Sequence, residues 1–198
     1  MMRLLLIALF AYLIGSISSS YIISKTRYKE DIRTKGSGNA GSTNMLRTYG
    51  LGPALLTLVI DIGKGYLAVF LASLFNEPYG IYLAGFMVVV GHCFPLALRF
   101  RGGKGVATSG GVLIFHMPLF IPLGLVVFFA MNYAFRLMSL TSIVIAILAL
   151  VFALVFYGSN TSLVIMVAAL VLLILIRHKD NIRRLIKGEE NRISIKKG

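Results

Sequence analysis

At 198 residues the chain has the length of one or two soluble domains, but 58% hydrophobic against 14% charged residues and a mean hydropathy of +0.86 exclude a soluble surface. It reads as one integral-membrane domain over residues 1–198. The net charge of +13, from 20 Lys and Arg against 7 Asp and Glu, would point to nucleic acid in a soluble protein; here the cations lie between apolar runs, so membrane lipid and no nucleic acid is the expected partner. The lone cysteine, Cys93, excludes a disulfide framework and a cysteine-ligated zinc site.

Residues 3–23 form the first predicted span. Arg3 before an apolar run, with Gly15, Ser16 and Ser18 after it, imitates a secretory leader, but the next loop carries Lys25, Arg27, Lys29, Arg33, Lys35 and Arg47. Translocating that loop would break the positive-inside rule, so the N-terminus is expected outside. The second span, residues 53–75, contains Asp61 and Lys64, which share a helix face at i, i+3 and can pair, as a structural lock or as part of a site. Residues 80–98 form the third span, with His92 and Pro95 near its end.

A glycine-rich basic turn follows, and residues 105–117 then supply only about 20 Å of helix against a hydrocarbon core of about 30 Å. This predicts a short or half-length helix whose N-terminal dipole points into the turn. Residues 119–135, 139–157 and 161–176 complete seven segments and leave the C-terminal tail cytoplasmic, with Arg177, Lys179, Arg183, Arg184, Lys187, Arg192, Lys196 and Lys197 on it. The predicted fold is all-α: a polytopic helix bundle of seven membrane segments, one or two of them short.

Three polar motifs fall on one side. Residues 36–44, GSGNAGSTN, fit a dinucleotide fingerprint through Gly36, Gly38 and Gly41, but no strand precedes them, and Ser42 stands where a P-loop needs lysine. What remains is glycine backbone that an anion can approach, with Ser37, Asn39, Thr43, Asn44 and Arg47 as donors. Residues 91–111 place Arg99, Arg101 and Lys104 around Gly102 and Gly103, so that cations and backbone N–H groups could converge on a phosphate; the same cations would serve as a topology signal. Residues 177–191 put His178 and Asn181 at i, i+3, on a segment that also reads as an interfacial amphipathic helix.

These motifs, in this order, resemble the bacterial acyl-phosphate:glycerol-3-phosphate acyltransferases. That family has a GSGN-GxTN loop, a GHxFP segment leading to GGKGVAT and an Arg-His-x-x-Asn tail, matched here at residues 36–44, 91–108 and 177–181. Gly15-Ser16-Ile17 and residues 61–65 also look familiar. The departures are Ser18 where proline is frequent, Ser42 at a variable position, and Lys179 and Asp180 as the tail's variable pair. The resemblance implies acyl transfer from acyl phosphate to the 1-hydroxyl of glycerol 3-phosphate, with the second motif binding glycerol 3-phosphate and the others completing the catalytic centre.

Set against that chemistry, Ser37, Arg47, Lys104, His178 and Asn181 are the catalytic candidates. Gly36, Gly38, Asn39, Gly41, Thr43, Asn44, His92, Arg101, Gly102, Gly103, Gly105, Thr108 and Ser142 are the binding candidates. Lys104 and the Gly102-Gly103 backbone are expected on one phosphate, with Arg47, Ser37 and Thr43 on the other anionic group. The base is His178 held by Asn181 or a carboxylate, or His92, or a substrate phosphate. The residues five beyond His92, His116 and His178 are Ala97, Ile121 and Arg183, so the His-x4-Asp pattern of thioester-using acyltransferases is absent. No metal and no cofactor is expected. The rival class is a transporter or exchanger of a phosphorylated solute, which would also need a broken helix and a basic pocket.

Overall fold

The computed structural model describes residues 1–192; the tail lysines Lys196 and Lys197 lie outside the described residues. Its helices are α1 (Met2–Ser16), α2 (Ser19–Tyr28), α3 (Ser42–Tyr49), α4 (Leu51–Ser73), α5 (Gly80–Cys93), α6 (Val106–His116), α7 (Phe120–Phe135), α8 (Met138–Tyr157), α9 (Thr161–Arg177) and α10 (Lys179–Ile186), with no strand among the described residues. Four stretches are long and apolar enough to cross a membrane: Met2–Tyr28, Leu51–Ser73, Gly80–Leu98 and Met138–Tyr157. Helix α9 with α10, bent by 62°, makes a fifth, and α6 and α7 are shorter apolar helices. The seven apolar segments of the sequence are therefore all present. Helix α6, at 11 residues, reaches only about 17 Å and is the half-length member.

Three local departures from the sequence reading matter for the site. The first segment runs on to Tyr28 but breaks at Ile17 and Ser18, both extended, and the freed Ile17 carbonyl accepts a hydrogen bond from Lys64 Nζ at 2.8 Å. Helix α5 stops at Cys93, because Pro95 has no N–H to continue it, and the chain turns through a 3-10 segment, Leu96–Leu98. The first polar loop also contains a folded helix, α3, with its own small core of Ile32, Ala40, Met45 and Ala54.

Lipid tails are as apolar as leucine, so helices in a bilayer associate by close fit. Leu5, Phe10, Val126, Phe129 and Tyr133 point outward, while Val69, Val88, Val89, Val112 and Ala153 pack inward with almost no exposure. Two reciprocal glycine contacts set the closest approaches. A Cβ at Gly15 of α1 would strike the Val88 carbonyl of α5, and one at Gly91 of α5 would strike the Tyr12 carbonyl of α1. Gly65 of α4 and Gly111 of α6 do the same, against the carbonyls of Thr108 and Ile62. The second contact fixes the half-length helix, and hence the glycine turn at its start.

Candidate active site

The first loop is built around Asn44, which is 1% exposed. Its Nδ2 lies within 3.0–3.1 Å of the carbonyls of Ile32, Lys35 and Asn39, and its Oδ1 accepts from the Ser37 N–H at 2.9 Å. Gly36 has a left-handed φ of 55° and carries no Cβ, which would collide with that Oδ1. The sequence reading had Asn44 as a substrate donor; its hydrogen-bonding capacity is instead spent shaping the loop. Ser37, Gly36 and Gly38 stand exposed on the loop's rim, with Asn39, Gly41 and Thr43 half-buried beneath. Arg33, paired with Asp31 at 2.7 Å, ties this loop to the second motif by donating to the Leu98 carbonyl at 2.9 Å.

The glycine turn differs from the sequence picture in which atoms face the site. The N–H groups of Gly102 and Gly103 donate to the carbonyls of Cys93 and His92 at 3.2 and 3.1 Å, closing the turn onto the end of α5, so they are not free for an anion. Arg99 and Arg101 are exposed, so the three cations do not converge; Lys104 alone turns inward. Gly105 caps α6 at φ 86°, where a Cβ would meet Val89 and Cys93, and Thr108 is fully buried in the α4–α6 contact. Both support the turn and neither opens to a substrate. The orphan N–H groups of the first turn of α6 remain as backbone donors beside Lys104.

Lys104 is the meeting point of the motifs. Its Nζ donates to Asn181 Oδ1, Asn181 Nδ2 donates to Glu190 Oε1 at 2.8 Å, and Glu190 Oε2 accepts from Arg184 Nε at 2.8 Å. Arg47 reaches across from α3 to the Asn191 carbonyl at 3.2 Å and keeps its buried Nε without a partner among the described residues. Burial pushes the Lys104 pKa down to about 8; Glu190 opposes that shift, whereas Arg184, Arg47 and Arg177 reinforce it. Burial opposes ionisation of Glu190, but hydrogen bonds from Asn181 and Arg184 more than offset it and hold the carboxyl below its ordinary value. Three arginines and one carboxylate around Lys104 leave a positive excess that an anionic ligand would neutralise.

His178 closes the site at the α9–α10 bend, 2% exposed. Its Nδ1 lies 2.8 Å from the Ile174 carbonyl, which can only accept, so Nδ1 carries the proton and the neutral ring offers Nε2 as an acceptor. A backbone carbonyl therefore orients this histidine, rather than Asn181 or a carboxylate. His92 lies below the turn, with Nδ1 2.9 Å from Lys64 Nζ. Ser142 donates to the Met138 carbonyl of its own helix at 2.8 Å and is no phosphate donor.

Two residues at the site were not among the candidates read from sequence, although Arg177 opens the tail motif. Arg177 donates from Nε to the Gly103 carbonyl at 3.1 Å and from an Nη to the Gly102 carbonyl at 3.2 Å, over the Phe94 ring at 5.1 Å, so it clamps the glycine turn to α9. Glu190 supplies the carboxylate that the motif cores lack. Arg177 reads as a topology cation until its acceptors are seen, and Glu190 sits in an unpatterned polar tail, where no periodicity marks it.

Membrane-length helices that gather their polar motifs at one end, around a half-length helix and an inward lysine, define an integral-membrane protein with an anion-directed site. The family model described as "Glycerol-3-phosphate acyltransferase" matches residues 5–188. A glycerol-3-phosphate acyltransferase of Finegoldia magna is 39% identical over 190 residues, 96% of either chain. Crystal structures of PlsY (YgiH), an integral membrane glycerol 3-phosphate acyltransferase, are similar throughout. Its glycerol 3-phosphate form superposes with a TM-score of 0.91 at 34% identity, covering 96% of both chains. Its lysophosphatidic acid form gives 0.87 at 32%, covering 97% of this chain and 96% of that one. The chain belongs to the glycerol-3-phosphate acyltransferase family and is an enzyme of that class. The exchanger reading falls with that assignment.

Proposed function

We propose that the chain transfers a fatty acyl group from acyl phosphate to the 1-hydroxyl of glycerol 3-phosphate, giving lysophosphatidic acid and inorganic phosphate. The reaction is an early step of phospholipid synthesis at the cytoplasmic face of a bacterial cell membrane. The observation that carries this reading is Lys104, half-buried and held between Asn181 and the Arg47, Arg177 and Arg184 cations at the end of an apolar bundle. A cationic centre beside lipid suits two phosphate-bearing substrates, one soluble and one carried by a hydrocarbon chain.

In the transfer, the substrate hydroxyl oxygen attacks the acyl carbonyl carbon and forms the ester as the carbon–oxygen bond to phosphate breaks. Acyl phosphate is already activated, so holding the hydroxyl near the carbonyl and neutralising the leaving phosphate supply most of the acceleration. Lys104 and the first-turn N–H groups of α6 hold one phosphate. Arg47, with Ser37 on the loop rim and Thr43 beneath it, faces the other anionic group. The hydroxyl proton passes to His178 Nε2, the acceptor that the Ile174 hydrogen bond leaves unprotonated on the ring.

The test is purified protein in detergent, without compartments, given glycerol 3-phosphate with either acyl phosphate or acyl-CoA. Lysophosphatidic acid and phosphate in equal amounts are expected from acyl phosphate alone. Turnover with acyl-CoA only, or none with either donor, would overturn the proposal.

A further inference from the structure

A charged cluster lies inside the helix bundle, under the glycine turn. Lys64 Nζ makes three contacts, to the Ile17 carbonyl at 2.8 Å, to Asp61 Oδ1 at 2.9 Å and to His92 Nδ1 at 2.9 Å. An ammonium has three protons and no lone pair, so this geometry spends them all. Asp61 Oδ1 also accepts from Ser19 Oγ at 2.9 Å and lies 3.6 Å from His92 Nδ1, beyond direct hydrogen bonding. Asp61, Lys64 and His92 are all at least 93% shielded from solvent.

This arrangement decides the state of the His92 ring. A group that only donates faces Nδ1, so Nδ1 must present its lone pair. An imidazolium, or a neutral ring protonated at Nδ1, would set N–H against ammonium. The ring proton is therefore on Nε2. That atom abuts Gly103, where a Cβ would collide with Nε2 and Cε1, and the Ala40 carbonyl of the first loop lies 3.0 Å from the same position. No hydrogen bond to Nε2 is formed among the described residues.

We propose that Lys64, held by Asp61, is a positioning residue that fixes His92 as the Nε2–H tautomer, giving the site a neutral donor beside Gly103 for an oxygen of the phosphate-bearing substrate. His92 is then a binding group and cannot be the base. The two site histidines carry opposite polarity: Nε2 of His92 donates and Nε2 of His178 accepts. The identity of the ligand rests on the reading above, whereas the tautomer does not.

The experiment is nitrogen-15 spectroscopy of the full-length protein, labelled at histidine, in micelles without substrate, with the His92 signals assigned by their loss in His92→Gln. The expected result is a protonated Nε2 and a bare Nδ1 at His92, with the reverse at His178; a protonated His92 Nδ1 would overturn the proposal, whatever the enzyme's activity. Glycerol 3-phosphate should then shift the His92 Nε2–H resonance, and an unmoved resonance under saturating ligand would remove the donor role. In Lys64→Met, the acceptor-only Asp61 carboxylate faces the ring, so the proton should move to Nδ1 and the glycerol 3-phosphate KM should rise about tenfold or more. His92→Gln, which keeps an N–H at the Nε2 position, should stay within about tenfold of the parent kcat/KM, while His92→Leu should fall further. Equal activity of the Gln and Leu variants would contradict the donor assignment, and the spectrum of the unmodified protein decides the tautomer even if a variant fails to fold.

Discussion

In the proposed transfer, Lys104 is the residue on which the chemistry turns. Its ammonium is the one cation of the glycine turn aimed inward, so Lys104→Ala should lower kcat/KM by about 100- to 1,000-fold while the protein stays monodisperse in detergent. Near-normal kinetics would refute its role. Because burial lowers its pKa to about 8, the charged form prevails below that pH and is lost above it. With other groups constant, kcat/KM should fall toward tenfold per unit as pH rises beyond about 8, and Lys104→Arg, which does not deprotonate, should remove that limb of the profile. Lys104 and Arg47 drew notice in the sequence because each follows a stretch of glycines and polar residues, and His178 and Asn181 because they fit the tail pattern of the family that the chain resembles. Asn44 was legible as important but not in its role, since only the fold shows its amide turned back on its own loop. Glu190 was illegible, because it acts across a chain reversal that places it against Asn181 and Arg184.

Helix α6 was predicted as short from the apolar length between the glycine turn and Pro118, and its N-terminus lies where the sequence put it. What the sequence could not show is the contact that aims it. Gly110 and Gly111 are adjacent in the chain, yet a Cβ at Gly110 meets nothing within 4 Å and one at Gly111 collides with the Ile62 carbonyl. Gly111→Ala should therefore destabilise the protein by about 1–3 kcal/mol and lower activity through the displaced turn. Gly110→Ala should be neutral or stabilising by about 0.5–1 kcal/mol. Thermal unfolding of the two variants, measured side by side, checks the pair. The break at Ile17 and Ser18 escaped the sequence reading because small residues such as Gly15, Ser16 and Ser18 are ordinary within membrane helices, and α3 escaped it because it spans only eight residues in a polar loop.

In the whole molecule, hydrogen bonds from Arg33 to Leu98, Arg177 to Gly102 and Gly103, Lys104 to Asn181 and Arg47 to Asn191 join segments far apart in sequence at one end of the bundle. The opposite end holds the Arg3–Glu77 contact at 3.6 Å and the Asn160–Tyr82 hydrogen bond, far fewer polar groups. That asymmetry was readable from charge placement in the loops, whereas the pairing of particular loops was not, since helix order in a bundle is set by contacts such as the glycine pairs. If the basic end faces the cytoplasm, Asn76→Cys should react with an impermeant thiol reagent on intact cells and Arg101→Cys only after permeabilisation. Cys93, which is buried, supplies little background. The reverse pattern would invert the orientation.

The most direct measurement is a structure of this protein with glycerol 3-phosphate bound. The ligand phosphate should lie within hydrogen-bond distance of Lys104 Nζ, with the 1-hydroxyl directed toward His178 Nε2. A phosphate held by the exposed Arg99 or Arg101 instead, with Lys104 still bonded only to Asn181, would contradict the site described above.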